Sequence, residues 1–230
     1  MEKRYKLLYK VLEELHTAGV LEKFILVGSW CHYFYQFLFD GAPEIPLLRT
    51  TDIDFLVPNP VHIERKIDVS TLLNNLGFDS DFDYHSGLVK YVHPDLEIQF
   101  LTPAIGRSKK TPYEIKKFNI NAEGLRYLTL LQENRFPIIH NHITLWIPEP
   151  EAYILHKILI SQKRKDEIKR NKDLISAKEI GEFCLTIENR RERIKSIFLS
   201  LPLKWQKNIL NNVVQISPQL HGFLHLSHTK

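Results

Sequence analysis

The sequence has few cysteines and no long apolar segment. Its two cysteines, Cys31 and Cys184, lie far apart and form no C-x-x-C motif, so we expect reduced thiols in a cytoplasmic protein. No apolar run approaches the roughly 20 residues that span a bilayer, which argues against a membrane protein. We expect the charged N-terminal residues to start a helix. They lack the apolar core of a secretion signal. The sequence also contains no internal repeat and no low-complexity tract.

The composition is that of an ordinary globular protein. Hydrophobic residues make up 43% of the 230 residues and charged residues 25%, which excludes wholesale disorder and a collagen-like fibre. A chain of this length buries roughly 70% of its unfolded surface and folds without a disulfide or a metal. The length allows one large domain, or a compact domain with a helical appendage.

Hydrophobic periodicity divides the chain into two parts. Before Pro148 helices alternate with strands, and from Glu151 onward the spacings are helical with a break at Pro202. We therefore predict an α/β domain over 1–147 and a helical domain over 148–230. The predicted helices before this boundary are 2–16, 30–39, 69–76 and about 122–133, and the predicted strands are 24–27, 52–57, 78–84, 88–92, 96–101, 116–120 and 143–147, with a proline-containing loop over 40–49.

Two aspartates in the strand 52–57 form the most informative motif. Residues two apart in a strand share a face, so Asp52 and Asp54 point the same way while Ile53 points into the core. Two neighbouring carboxylates repel each other unless a cation lies between them. Mg²⁺ suits such a pair, because it prefers oxygen ligands and commonly joins protein carboxylates to substrate phosphates. The alternative is an edge strand with two solvated acids.

A third carboxylate follows in the strand 96–101. Leu96, Ile98 and Phe100 alternate with Glu97 and Gln99, so Glu97 lies on the polar face. If this strand lies beside 52–57, the three carboxylates can hold two divalent ions, the arrangement used for in-line phosphoryl transfer.

Gly28-Ser29 lies between a predicted strand and a predicted helix. Glycine permits close backbone approach to a phosphate, and a helix N-terminus offers unpaired N–H groups to an anion. The Ser29 hydroxyl adds one further contact. The alternative interpretation is a plain turn with an N-cap.

Taken together, Val27-Gly28-Ser29, Thr51-Asp52-Ile53-Asp54-Phe55 and Glu97 resemble the motifs of the DNA polymerase β-type nucleotidyltransferase superfamily. The resemblance covers residues 24–101 and implies a mixed β-sheet with flanking helices, followed by a helical C-terminal region. It implies Mg²⁺-dependent transfer of a nucleoside monophosphate from an NTP such as ATP, an EC 2.7.7-type reaction, to a hydroxyl or phosphate acceptor. Mn²⁺ is the alternative ion. The spacing of 22 residues between Ser29 and Asp52 is longer than in many members and resembles the minimal and abortive-infection-toxin-like branches.

The resemblance also implies cations that face the triphosphate. Lys157 in a helix and Lys172 in the next helix correspond to such residues, and Asp173 is a candidate to orient either lysine. A lysine ammonium is a suitable point charge for a polyphosphate. Arg49, just before the first aspartate, is a candidate contact to phosphate or acceptor, and Thr51 is expected to fix the strand end.

Positive charge is concentrated in the segment 162–172, which holds six basic and two acidic side chains. This basic segment is either a solvated surface or a contact to a triphosphate or an acceptor, such as RNA, a protein or a small molecule.

Two alternatives to the transferase stay open. One is a non-catalytic nucleotide- or nucleic-acid-binding module of a toxin–antitoxin or phage-defence pair, with an antitoxin as partner. The other is a metal nuclease, in which Gln99 stands where a lysine is usual.

Overall fold

The computed structural model of the chain describes residues 2–38, 51–104, 106 and 111–228. The predicted loop 40–49 therefore lies outside the described residues. The chain divides into two compact units, described here over these residues. Unit 1 combines Met1–Cys31 with Pro46–Pro148, and unit 2 combines His32–Ile45 with Glu149–Lys230.

The described strands all belong to unit 1. They are β1 (Ile25–Val27), β2 (Asp52–Leu56), β3 (Asp79–Phe82), β4 (Val89–Val92), β5 (Glu97–Pro103), β6 (Tyr113–Ile115), β7 (Ile120–Leu125), β8 (Arg135–His140) and β9 (Ile143–Pro148). Seven of them run in the order β3-β4-β5-β2-β1-β9-β8, and β7 joins β5 and pairs with β6. The sheet is mixed. Strands β2 and β7 are parallel to β5, whereas β1 is antiparallel to β2 and β4 is antiparallel to β5.

The described α-helices lie before, between and after these strands. They are α1 (Glu2–Thr17), α2 (Trp30–Leu38), α3 (Val69–Asn75), α4 (Leu128–Glu133), α5 (Pro150–Ser161), α6 (Glu167–Leu185), α7 (Glu188–Ser200), α8 (Leu203–Val213) and α9 (Pro218–His228). Local chemistry explains several of their boundaries. The Asp68 and Asp166 carboxylates cap α3 and α6, and Pro150 begins α5 at a position where a missing N–H costs nothing. The predicted fold class, a mixed sheet with flanking helices and a helical C-terminal region, is confirmed.

The prediction was wrong between residues 116 and 140. The segment predicted as the strand 116–120 is mostly the turn of a hairpin formed by β6 and β7, with Asn119 in the left-handed region at φ 52°. The predicted helix 122–133 begins as β7 and becomes helical only after Tyr127, whose φ is 70°. Strand β8, which pairs with β9, was not predicted. Pairing of β7 with both β6 and β5 outweighed the local helical preference of residues 122–125.

The core of unit 1 is an aromatic cluster beneath the sheet. Phe24, Phe55 and Phe100 are fully buried, with ring centroids 5.3 to 5.9 Å apart. Phe55 and Phe100 come from the directly paired strands β2 and β5. Burial of this apolar face turns the alternate residues of both strands towards the opposite face.

Unit 2 is built around α5, which packs against α6, α7 and α8. Eleven of its twelve residues are buried. This all-round burial explains why α5 has no polar face of the kind that surface helices show. Among the described residues, no helix has the length and apolarity needed to cross a membrane.

We expect the Phe100→Ala variant to lower the free energy of unfolding by about 3–5 kcal/mol, because it leaves a cavity in the aromatic core beneath the sheet. Phe82→Ala is the matched control, since Phe82 is 47% exposed, and it should change stability by less than about 1 kcal/mol. Urea denaturation measures both. Equal losses in the two variants would contradict this account of the core.

Candidate functional site

The register of β2 on β5 brings the three predicted carboxylates onto one face of the sheet. Asp52 pairs with Glu97 and Asp54 pairs with Gln99, while Ile53 pairs with the buried Ile98. The predicted adjacency of these strands is confirmed. We call this polar surface, formed by Asp52, Asp54, Glu97 and Gln99, the carboxylate face.

Gly28 lies directly against the second aspartate. Strand β1 pairs antiparallel with β2, and Val27 is the partner of Asp54. Gly28 has φ +79°, and a Cβ at this position would lie 2.5 Å from Asp54 Oδ2. Glycine is therefore favoured at this position both by its φ and by the close approach of the Asp54 carboxylate. Ser29 completes the turn that leads into α2 and is half-buried, so the predicted strand–turn–helix is present.

Two side chains from the sheet contact the carboxylates. Gln99 Nε2 donates to Asp54 Oδ1 at 2.5 Å, and Lys90 Nζ donates to Glu97 Oε1 at 2.5 Å. Thr51 Oγ1 donates to Asp52 Oδ1 at 3.0 Å, at the predicted strand end. Arg49 lies outside the described residues. Each carboxylate thus has a hydrogen-bond donor beside it.

Lys90 was not among the residues predicted from the sequence. The available signal is the alternation in β4, where Tyr91 is buried and pairs with Ile98, so that Lys90 faces the same way as Glu97. Burial would lower the pKa of Lys90. The hydrogen bond and charge of Glu97, together with the charges of Asp52 and Asp54, instead raise that pKa above its ordinary value.

The carboxylate face suits a divalent ion in its chemistry and register, but not in its present side-chain arrangement. Carboxylate oxygens on adjacent strands are the ligands that Mg²⁺ prefers. Within the described ranges, however, no group of three His, Cys, Asp or Glu side chains is arranged to hold a metal ion. Glu97 is engaged by Lys90 instead.

The predicted lysines of the C-terminal part lie in unit 2. Lys157 is buried in α5, and its ammonium donates to Asp173 Oδ1 at 2.5 Å. Arg164 Nε donates to the other oxygen of Asp173 at 3.0 Å. Burial would raise the pKa of Asp173, but the charges and hydrogen bonds of Lys157 and Arg164 hold it below its ordinary value. Lys172 is exposed, so the residue that Asp173 orients is Lys157.

Two buried histidines of unit 2 were not singled out from the sequence as part of a site. His32 and His156 are 2% and 7% exposed, and neither ring nitrogen of either residue has a hydrogen-bond partner among the described residues. Burial, followed by the charge of Lys157, lowers the pKa of each to about 3. Both imidazoles are therefore neutral at neutral pH.

Comparison with known proteins gives one family match and one similar solved structure. Residues 6–193, well over half of the chain, match a family model described as "Nucleotidyltransferase". Among solved structures, the chain is similar to an antigenic nucleotidyltransferase-like protein from Paracoccidioides brasiliensis. The TM-score is 0.45 and the sequence identity 16%, over 94% of this chain and 92% of that one. No curated protein matches the sequence significantly.

An alanine in the left-handed region costs roughly 1–2 kcal/mol. We expect the Gly28→Ala variant to lose more stability than this, because its new methyl group also displaces the Asp54 carboxylate. Gly87→Ala is the matched control: Gly87 has φ +77°, and a Cβ there meets only an ordinary contact at 3.7 Å. Urea denaturation of both variants isolates the steric contribution. Equal destabilisation would contradict the close approach of Gly28 to Asp54.

We expect the stability of the protein to fall as the pH drops below about 6.5. His32 and His156 bind a proton more weakly when folded, with a pKa of about 3, than when unfolded, with a pKa of 6.5. Their contribution to the free energy of unfolding is therefore complete above pH 6.5 and is lost as the pH falls towards 3.

The His156→Leu variant should reduce the slope of the unfolding free energy against pH by about 1.4 kcal/mol per pH unit between pH 6 and 4.5. Urea denaturation at several pH values measures this slope, with the exposed His62→Leu as control, and an unchanged slope in His156→Leu would contradict a neutral buried imidazole.

Proposed function

The chain belongs to the nucleotidyltransferase family, and on this premise we propose that it transfers a nucleoside monophosphate from an NTP to a hydroxyl or phosphate acceptor, a reaction of EC 2.7.7 type. The observation that carries the proposal is the register of β2 on β5, which sets Asp52 beside Glu97 while Asp54 lies against Gly28. Phosphoryl transfer with two divalent cations uses neighbouring carboxylates as ligands. A glycine turn beside them permits close approach of a phosphate.

We propose that Asp52, Asp54 and Glu97 hold Mg²⁺, or alternatively Mn²⁺, in a two-metal site. When bound, such ions activate the attacking oxygen and neutralise charge on the nucleotide phosphates. The protein's own residues position the carboxylates: Gln99 orients Asp54 through its amide, and Thr51 holds Asp52 through its hydroxyl.

The nucleotide phosphates are proposed to bind at the Gly28-Ser29 turn. Glycine permits close backbone approach to a phosphate, and the turn leads directly into the N-terminus of α2, where the helix dipole favours an anion. Ser29 adds a hydroxyl donor. Arg49, Lys157 and Lys172 keep their proposed role as phosphate-binding cations, which the resemblance to the superfamily implies. The long spacing between Ser29 and Asp52 supports membership of the minimal or abortive-infection-toxin-like branch.

We propose RNA as the acceptor, because the basic segment 162–172 is exposed throughout. A row of exposed lysines and arginines binds a phosphodiester backbone and releases its counterions. A protein side chain or a small molecule is the alternative acceptor.

A cytoplasmic location is proposed from the two buried cysteines, neither of which is in a disulfide.

The Asp54→Asn variant should lose transfer activity by roughly 100-fold or more, because the substitution removes a ligand charge while the amide can still pair with Gln99. The assay combines the full-length protein with Mg²⁺, each α-³²P-labelled NTP in turn and bulk RNA, and follows covalent label in the RNA and in the protein. Glu114→Gln is the matched control, since Glu114 is an exposed carboxylate, 75% accessible, in β6 of the same unit.

The outcomes separate the candidate functions. Label in RNA or protein that disappears in Asp54→Asn but persists in Glu114→Gln supports the transferase and identifies the acceptor. RNA cleaved without NTP favours the metal nuclease. Salt-sensitive RNA binding with neither activity favours the non-catalytic module of a toxin–antitoxin or phage-defence pair. A variant Asp54→Asn that labels as well as the parent would refute the role of the carboxylate face.

A further inference from the structure

Lys90 is a basic side chain on a face of the sheet dominated by acids. It comes from β4, next to β5, and its ammonium lies 2.5 Å from Glu97 Oε1. Asp81 of β3 is its direct cross-strand partner on the other side. The charges of Asp52 and Asp54 also act on it. One ammonium thus contacts Glu97 and feels the charges of the other two carboxylates that were predicted to bind a metal.

The contact has an electrostatic reason. Glu97 and Asp52 are lateral partners on adjacent strands, and like charges directly opposite each other destabilise a sheet unless a cation compensates them. Lys90 and Glu97 are only 39% and 30% exposed in their side chains, so water screens the pair less than it screens a fully exposed one. Lys90 therefore provides charge that a divalent ion would otherwise supply.

We propose that Lys90 is a positioning residue that serves as the built-in counter-ion of the carboxylate face and competes with a divalent cation for Glu97. This inference rests on the proposed function, because it concerns the same three carboxylates. A metal ion that binds Glu97 either displaces Lys90 from Oε1 or shares the carboxylate with a nearby ammonium that repels it. The lysine thereby weakens the binding of free metal and offsets one of the three negative charges of the carboxylate face.

The test measures metal binding without nucleotide. Mn²⁺ is titrated into the full-length protein, and the free ion is followed by electron paramagnetic resonance. The Lys90→Met variant should bind Mn²⁺ about 3- to 10-fold more tightly than the parent, because both the competing ion pair and the repulsion by a nearby ammonium are removed. Lys90→Arg keeps the charge and should restore affinity close to that of the parent.

Lys116→Met is the matched control. Lys116 is also a lysine of unit 1 beside a glutamate, but its pair with Glu114 is 3.8 Å long and 86% and 75% exposed. The same loss of charge there should leave Mn²⁺ affinity within about twofold of the parent. This control separates a local effect at Glu97 from the change in net charge.

A second comparison tests whether the effect passes through Glu97. In a Glu97→Gln background, Lys90→Met should gain clearly less affinity than in the parent, as a double-mutant cycle measures. Circular dichroism and thermal unfolding check that each variant is folded. If the parent binds Mn²⁺ and Lys90→Met binds it equally or more weakly, the inference is overturned while the proposed function stands. If neither protein binds Mn²⁺, the proposed metal site fails and the inference fails with it.

Discussion

The parallel pairing of β2 with β5 is the constraint on which the candidate site depends. In the observed register Asp52 lies beside Glu97 and Asp54 beside Gln99. Because side chains alternate along a strand, a slip of one residue would turn Glu97 into the core and bring Ile98 to the polar surface. The aromatic packing of Phe55 on Phe100 opposes such a slip. The apolar face of the two strands thus fixes the positions of the polar groups on the other face.

Charge balance is the second requirement of this surface. Three carboxylates on neighbouring positions repel one another, and each needs a donor or a cation nearby. Asp52 has the Thr51 hydroxyl, Asp54 the Gln99 amide, and Glu97 the Lys90 ammonium. Thr51 directly precedes β2, whereas the Gln99 amide and the Lys90 ammonium come from the neighbouring strands β5 and β4.

Unit 2 shows how charge is tolerated in a buried helix. Lys157 lies in a helix that is buried on almost every side, where an unpaired ammonium would be costly. Asp173 compensates it, and Arg164 occupies the second carboxylate oxygen. The nearby histidines need no such partner because burial keeps them neutral. The Asp173 carboxylate of α6 thus binds Lys157 of α5 and Arg164 of the turn between the two helices. Its contact fixes the direction of the Lys157 side chain.

The sequence alone determined the features that follow from local periodicity and turn chemistry. The alternation around Asp52, Asp54 and Glu97 identified the polar face, and Gly28-Ser29 identified a turn between a strand and a helix. Residues 120–125 form a strand instead of the predicted helix because β7 pairs with both β6 and β5, and these pairings outweigh local preference. Strand β8, which pairs with the adjacent β9, was not predicted. Only the tertiary structure showed that Lys90 contacts Glu97 and that Asp173 contacts Lys157. The physical reason is that the direction of a side chain follows from the repeat of its own strand or helix, two or 3.6 residues, which the sequence shows. Which strands or helices become neighbours, and in what register, depends instead on how apolar faces from different parts of the chain pack together.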